Sequence, residues 1–498
     1  MRKVIHANSR LAMIALVGTV LQFSIFKWFY PFPDFISESY TYISIAQEHL
    51  GIGILPIGYS KFLSAFHALT NSDLALPAFQ YCVLQLSAIY FFFSTLFFFS
   101  PNKINRILLC VTLLFNPLSL YLSNYVSNDS LFVALSLLWF TQLLWVIHRP
   151  ARYHIVAQAA LLFLCITVND KAYYYLIITI IGCCLSMSGY RFKLLGISTS
   201  MLVVLSFALY TADMAYKVSR VAQVSLNKGW VLANDVLYAR RHLVLDNSRL
   251  PADLREVDQM VEDYFKNASS GNIDIYLSGY TTKFFIDNQQ SPLHQFERRH
   301  VLEYNLNTPA MWGRASGVFT RYSNWLIRHY PFAFVRYYML PNAGNYMLTP
   351  LESLGSYNGG KDETRLEAQN WFGYRTPILT SVSAELQGKI LLPLPYLSLI
   401  IQVFYIGGLV WWLARKKSIT KNTPLNRLLL LSVCFYVVHF CVAVAGGPIV
   451  MRQQVFPLMI TSSFALLLME YLDKKEAQTR QGVQKSSLGG LSLKHEVL

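Results

Sequence analysis

Three carboxylates follow the first long apolar run closely. The stretch "PFPDFISESYTYISIAQEHL" (31–50) carries Asp34, Glu38 and Glu48. Asp34 and Glu38 are spaced i, i+4, so they share a face wherever the segment is helical. Such a pair can take a proton from an acceptor hydroxyl or hold a divalent cation. The same spacing equally serves a solvated pair at a helix start, which the helix dipole favours. Opposite charge comes from Lys171 in "NDK" (169–171) and Arg452 in "GGPIVMRQQVFP" (446–457). A cation at a membrane surface suits a phosphate, and an arginine can grip one bidentately. Lys171 can also snorkel and pair with its neighbour Asp170. A third acid, Asp129 in "SNDS" (127–130), can cap a helix as well as act. His49 and His67 lack the paired spacing of metal ligands.

These residues need elements to bring them together, and the composition says which kind. Of 498 residues, 54% are hydrophobic and only 14% charged. The mean hydropathy is +0.36. Long apolar runs recur, as in a polytopic all-α membrane protein. Ten spans are expected, at roughly 11–29, 75–99, 107–123, 131–148, 154–168, 172–189, 194–212, 390–413, 427–445 and 457–472. The chain then divides into a seven-span module (1–212), an extracytoplasmic segment (213–389), three C-terminal spans (390–472) and a tail (473–498) that reads as disordered. The start of the chain is too long in its apolar part for a signal peptide and reads as the first span.

The net charge of +15 does not mark a nucleic-acid partner. The segment 213–389 has 19 Lys/Arg against 17 Asp/Glu, so the excess lies in short loops. With the N-terminus in the cytoplasm, the inner segments hold 19 Lys/Arg and the short outer ones hold four, which fixes the orientation. Both termini are then cytoplasmic. Asp34, Glu38, Asp129, Lys171 and Arg452 all fall at outer span ends. The first outer loop, 30–74, is expected to carry an amphipathic helix, and "LPIGYSKFL" (55–63) to turn the chain back toward the membrane. Within the mostly helical segment 213–389, "RYSNWLIRHYPFAFVRYYML" (321–340) suits a helix at the lipid interface, with Trp325 at headgroup depth. All seven cysteines lie in apolar runs, so they read as small apolar residues rather than a disulfide framework.

Taken in order, these stretches resemble the GT-C superfamily of polytopic glycosyltransferases, above all its protein-mannosyltransferase-like and aminoarabinose-transferase-like members. "SESYTYISIA" (37–46) resembles the acidic-Ser-x-x-Tyr-x-x-x-Ala motif of the first external loop, and "PIGYSKFL" (56–63) the segment that follows it. "SNDSLFVAL" (127–135) resembles the second acidic motif, "TVNDKAYYY" (167–175) the lysine-bearing loop, and "MRQQVFPLM" (451–459) the arginine motif before a late span. Glu38 stands where the family usually has Asp, and Gln453 where an aromatic often follows the arginine.

The resemblance implies transfer of a sugar from a polyprenyl-phosphate donor to a glycan, lipid or protein acceptor. Glu38 or Asp34 would deprotonate the acceptor, with inversion at the anomeric carbon. Lys171 and Arg452 would hold the donor phosphate, and Asp129 would be the second acid. Ser39, Tyr42 and Tyr59 would support the acidic helix. A divalent ion, Mg or Mn, is an option within the family. The implied location is a bacterial inner membrane with the site facing the periplasm. Two other readings fit a polytopic chain with a large outer loop: a lipid-linked sugar transporter or flippase, and an O-antigen polymerase or ligase. Neither requires the early carboxylates.

Overall fold

A computed structural model describes residues 2–245, 250–268, 281–304, 308–414 and 424–492. Among them the fold is all-helical, with no strands and two isolated bridges, Asp34–Tyr125 and Glu363–Ile378. Eight helical stretches are long and apolar enough to cross a membrane. That architecture follows from the solvent: in hydrocarbon each backbone N–H and C=O must be satisfied within its own segment, and a helix does this.

After a short helix over Arg2–Ala7 comes α1 (Ser9–Phe29), which is mostly exposed along its length, as a lipid-facing helix is. The first outer loop folds as two short helices, α2 (Ser37–Gln47) and α3 (Ile57–His67). They are joined by hydrogen bonds from Ser60 Oγ to the Tyr42 carbonyl (3.0 Å) and from Ser64 Oγ to the Ala46 carbonyl (3.0 Å). Next come α4 (Ala75–Phe99) and a broken span, α5 (Lys103–Leu114) and α6 (Pro117–Asn124). The break is local chemistry: Asn116 caps α6 by accepting the Leu118 N–H, and Pro117 occupies the first helical position.

The helices α7 (Asp129–His148), α8 (Arg152–Val168), α9 (Tyr175–Leu185) and α10 (Tyr190–Ser219) complete the first module. Here α8 covers the expected span 154–168, while α9 is shorter than the expected 172–189. A 3-10 turn over Asp170–Tyr174 separates them. At one end of this pair Asn128 Nδ2 donates to the Val168 carbonyl (2.7 Å). At the other, the Met187 N–H reaches the Ile147 carbonyl (3.3 Å) and Arg427 Nη1 reaches that of Leu185 (2.9 Å). The pair thus runs the length of α7. A single large core joins these helices to α16 (Leu394–Ala414), α17 (Pro424–Ala445) and α18 (Met451–Ser492), described below.

The segment between α10 and α16 has a core of its own. Its helices include α11 (Lys228–Arg240), α12 (Arg255–Ala268), α13 (Pro292–Tyr304), α14 (Thr308–His329) and α15 (Leu340–Met347). Trp230 stacks on Trp312 at 3.8 Å between ring centroids. Arg240 and Asp258 form a buried ion pair (2.6 Å) to which the Tyr322 hydroxyl donates (2.7 Å).

Three expectations are corrected. The stretch 321–340 is not one interfacial helix: Tyr322 and Leu326 are buried in this local core, and the chain breaks at Tyr330–Pro331. The last span starts at Met451, not near Pro457, which lies inside α18. The tail expected to be disordered continues that helix through Ser492, while 493–498 lies outside the described residues.

Candidate functional site

The site is assembled from four helix starts and one loop. Arg452, the second residue of α18, is 6% exposed and lies between two acids. Its Nη1 and Nη2 donate to Glu38 Oε2 (2.6 Å) and Oε1 (3.0 Å), a bidentate grip. The same Nη1 donates to Asp129 Oδ2 at 3.0 Å. Asp129 opens α7, where the dipole favours a carboxylate, and its Oδ2 also accepts from Ser127 Oγ (2.9 Å). A second cation comes from the segment after α12: Lys283 Nζ donates to Glu38 Oε1 at 2.5 Å.

Glu38 thus faces two cations. Burial pushes its carboxyl up, but the Arg452 and Lys283 charges more than reverse this and hold it well below the usual carboxylate range. Lys171, one residue into the 3-10 turn, donates from Nζ to Gln453 Oε1 (2.7 Å), beside Arg452. Partial desolvation lowers Lys171 to about 8, with help from the nearby Lys283 charge.

A cavity of about 680 Å³, counting its open mouth, lies beside Arg452. Its walls include Asp129, Lys171, Arg452, Gln453, Tyr174 and His439. Glu38 and Lys283 are not among its lining residues; they border Arg452 from outside it. The guanidinium therefore stands between the cavity, with Lys171 and Asp129 on its walls, and the Glu38–Lys283 pair outside it.

Asp34 does not join Glu38 on a helical face. α2 starts only at Ser37, because Asp34 is tied into an extended bridge: its N–H donates to the Asn124 carbonyl (2.8 Å), and its carbonyl accepts the Val126 N–H (3.1 Å). Its carboxylate accepts the Asn358 N–H at 2.8 Å. Burial pushes its carboxyl up to about 7, and the Asn358 hydrogen bond opposes this. This is the setting of a structural acid.

The three supporting residues hold α2 in place. Ser39 Oγ accepts the Ile36 N–H (3.0 Å) at the helix start. Tyr42 is buried against Tyr59, edge to face at 4.9 Å. The Tyr59 hydroxyl donates to Gln80 Oε1 (2.8 Å), and Gln80 in turn bonds the carbonyls of Ser123 and Tyr125.

A divalent metal does not fit this arrangement. Glu38 and Asp129 converge on a guanidinium instead, and no group of three His, Cys, Asp or Glu gathers among the described residues. All seven cysteines are unpaired.

Sequence reasoning missed Lys283. It stands in "TTKFF" (281–285), in a long segment where positive and negative residues are nearly balanced, and no spacing singles it out. Comparison of the chain with known protein families, with curated proteins and with solved structures returns no match.

Proposed function

We propose that this chain is an integral membrane glycosyltransferase of the GT-C kind. It moves a sugar from a polyprenyl-phosphate donor to a glycan, lipid or protein acceptor on the extracytoplasmic side. On this reading the chain crosses ten times, with α8 and α9 as its two shortest crossings and both termini in the cytoplasm. The membrane is a bacterial inner membrane, and the site faces the periplasm.

One observation carries the proposal. Glu38, Asp129, Arg452 and Lys283 come together from distant parts of the chain beside a cavity with Lys171 on its wall. A lipid-linked phosphate cannot leave the bilayer, so its headgroup is met at span ends, and these charges stand at helix starts. Phosphate departs readily once its growing charge is stabilised, and preorganised cations supply that. Lys171 and Arg452 are placed for this role, and Lys283 adds a third cation. A transporter is expected to keep its polar groups near mid-span, at broken helices. This cluster lies at the ends.

The test is to delete the chain in its host and compare surface glycans. Loss of one defined sugar, restored by the wild-type chain but not by Arg452→Met, is the expected result. Loss of the same sugar with accumulation of the donor on the cytoplasmic leaflet would replace this reading with transport.

A further inference from the structure

A displacement at the anomeric carbon needs a carboxylate that is free to take a proton. Glu38 and Asp129 are engaged with Arg452, and Asp34 is built into the bridge to Tyr125. Two further acids, Asp287 and Glu352, lie within electrostatic reach of Arg452 and Lys283, and neither carboxylate makes a hydrogen bond or ion pair among the described residues. Of the two, Glu352 has the strained backbone. It is exposed, while Leu354 two positions on is fully buried.

The backbone around Glu352 is held on every side. The Pro350 carbonyl accepts the N–H of Met451, the residue before Arg452, at 2.8 Å. The Ser353 carbonyl accepts the Tyr125 hydroxyl (2.9 Å), and the Leu354 carbonyl accepts Gln387 Nε2 (3.0 Å). Between these clamps Glu352 has φ +50°, the left-handed region that glycine takes freely and glutamate avoids. Gly355 lies three residues on, so glycine is already part of this turn, yet the strained position carries an acid. Strain of this kind persists where the surroundings impose it, and it clusters at functional sites.

Resting on the glycosyltransferase reading, we infer that Glu352 is the catalytic base, aimed at the acceptor from outside the cavity, while Glu38 is the counter-charge that positions Arg452. The acceptor oxygen or nitrogen forms the new bond to the anomeric carbon. The bond from that carbon to the phosphate oxygen breaks, and its electron pair leaves with the polyprenyl phosphate. The acceptor proton passes to the Glu352 carboxylate and then to water. Around Glu352 the facing charged groups are Arg452, Lys283, Asp287 and Glu38. Partial desolvation by the surrounding protein pushes its carboxyl upward, and the two cations oppose that.

The test measures transfer of the missing sugar in membranes of the deletion host, beside binding of a polyprenyl monophosphate to the purified chain in nanodiscs. Glu352→Gln is expected to lower transfer by at least about 100-fold and to abolish the fall in rate at acid pH. Binding of the polyprenyl monophosphate stays within a few-fold of wild type. Glu352→Gly, which suits the backbone, is expected to be at least as heat-stable and equally inactive, separating the carboxylate from the turn. Transfer within threefold of wild type in either variant overturns the inference and leaves the transferase reading standing. A wild-type chain that restores no sugar overturns both.

Discussion

At the scale of single residues, Arg452 matters most because one guanidinium serves two acids. Removing one partner of a buried ion pair leaves the other charge uncompensated, at a cost of about 3–5 kcal/mol. Arg452→Met is therefore expected to lower the thermal midpoint in detergent substantially. Adding Glu38→Gln should recover part of that loss, because one stranded charge is then gone. A double variant no more stable than the single one would show that Glu38 does not depend on Arg452. Asp34 and Glu38 make opposite predictions for pH. Glu38 is held below its ordinary value of 4.5, so its contribution to stability is present above that value and is lost as pH falls beneath it. Asp34 is raised from 3.8 to about 7, so the folded chain keeps its proton longer than the unfolded one. Ionising Asp34 costs stability, and the cost grows as pH rises from about 4 to 7. Asp34→Asn keeps an oxygen for the Asn358 N–H and removes the charge. It is expected to match wild type at pH 4 and to melt at a higher temperature at pH 8, without loss of transfer. A sharp loss of transfer would return Asp34 to the chemistry.

At the scale of elements, what holds α3 against the spans is close approach. A methyl group on Gly58 would come within 2.6 Å of the Thr167 backbone in α8. Backbone cannot turn aside as a side-chain tip does, so Gly58→Ala is expected to push α3 away from α8 and to cost about 1–3 kcal/mol. Gly407, in the middle of α16, has open space around it, and Gly407→Ala should be neutral or slightly stabilising. Equal thermal midpoints for the two variants would refute this packing account. The same elements show what a sequence reader can see. Apolar helices were legible, because the bilayer demands length and hydrophobicity in one continuous run. Arg452, Asp129 and Glu38 were legible as charges at run ends. The start of α2 was not, because Asp34 is held by Asn124 and Val126, some 90 residues away, and no local pattern records such a pairing. Lys283 was illegible for the same reason: its meaning comes from Glu38, 245 residues distant. Amphipathic pattern alone also misplaced 321–340, since a helix facing a local core and one facing lipid look alike in sequence.

At the scale of the whole molecule, the proposal depends on which side of the membrane the charge cluster faces. On the proposed topology the inner loops would carry 19 Lys/Arg and the short outer ones four, and such asymmetry orients polytopic chains. The short helices α8 and α9 do not unsettle this. They are consecutive, so whether they cross or return together, every later segment stays on the same side. The same holds for the segment that supplies Lys283, which follows α10. Surface labelling of intact cells reads the orientation directly. Single cysteines are placed at Arg321, exposed on α14, and at Arg191, exposed at the start of α10, after the native exposed Cys82, Cys184 and Cys441 are replaced by serine. Among the described residues Arg321 pairs with the equally exposed Asp253, a contact worth little, so its replacement should not disturb the fold. A membrane-impermeant maleimide is expected to label the Arg321→Cys chain on intact cells, and the Arg191→Cys chain only after lysis. The reverse pattern would turn Glu38, Arg452 and Glu352 toward the cytoplasm. There a nucleotide-sugar donor is as accessible as a lipid-linked one, and the argument from a membrane-bound phosphate would lose its footing.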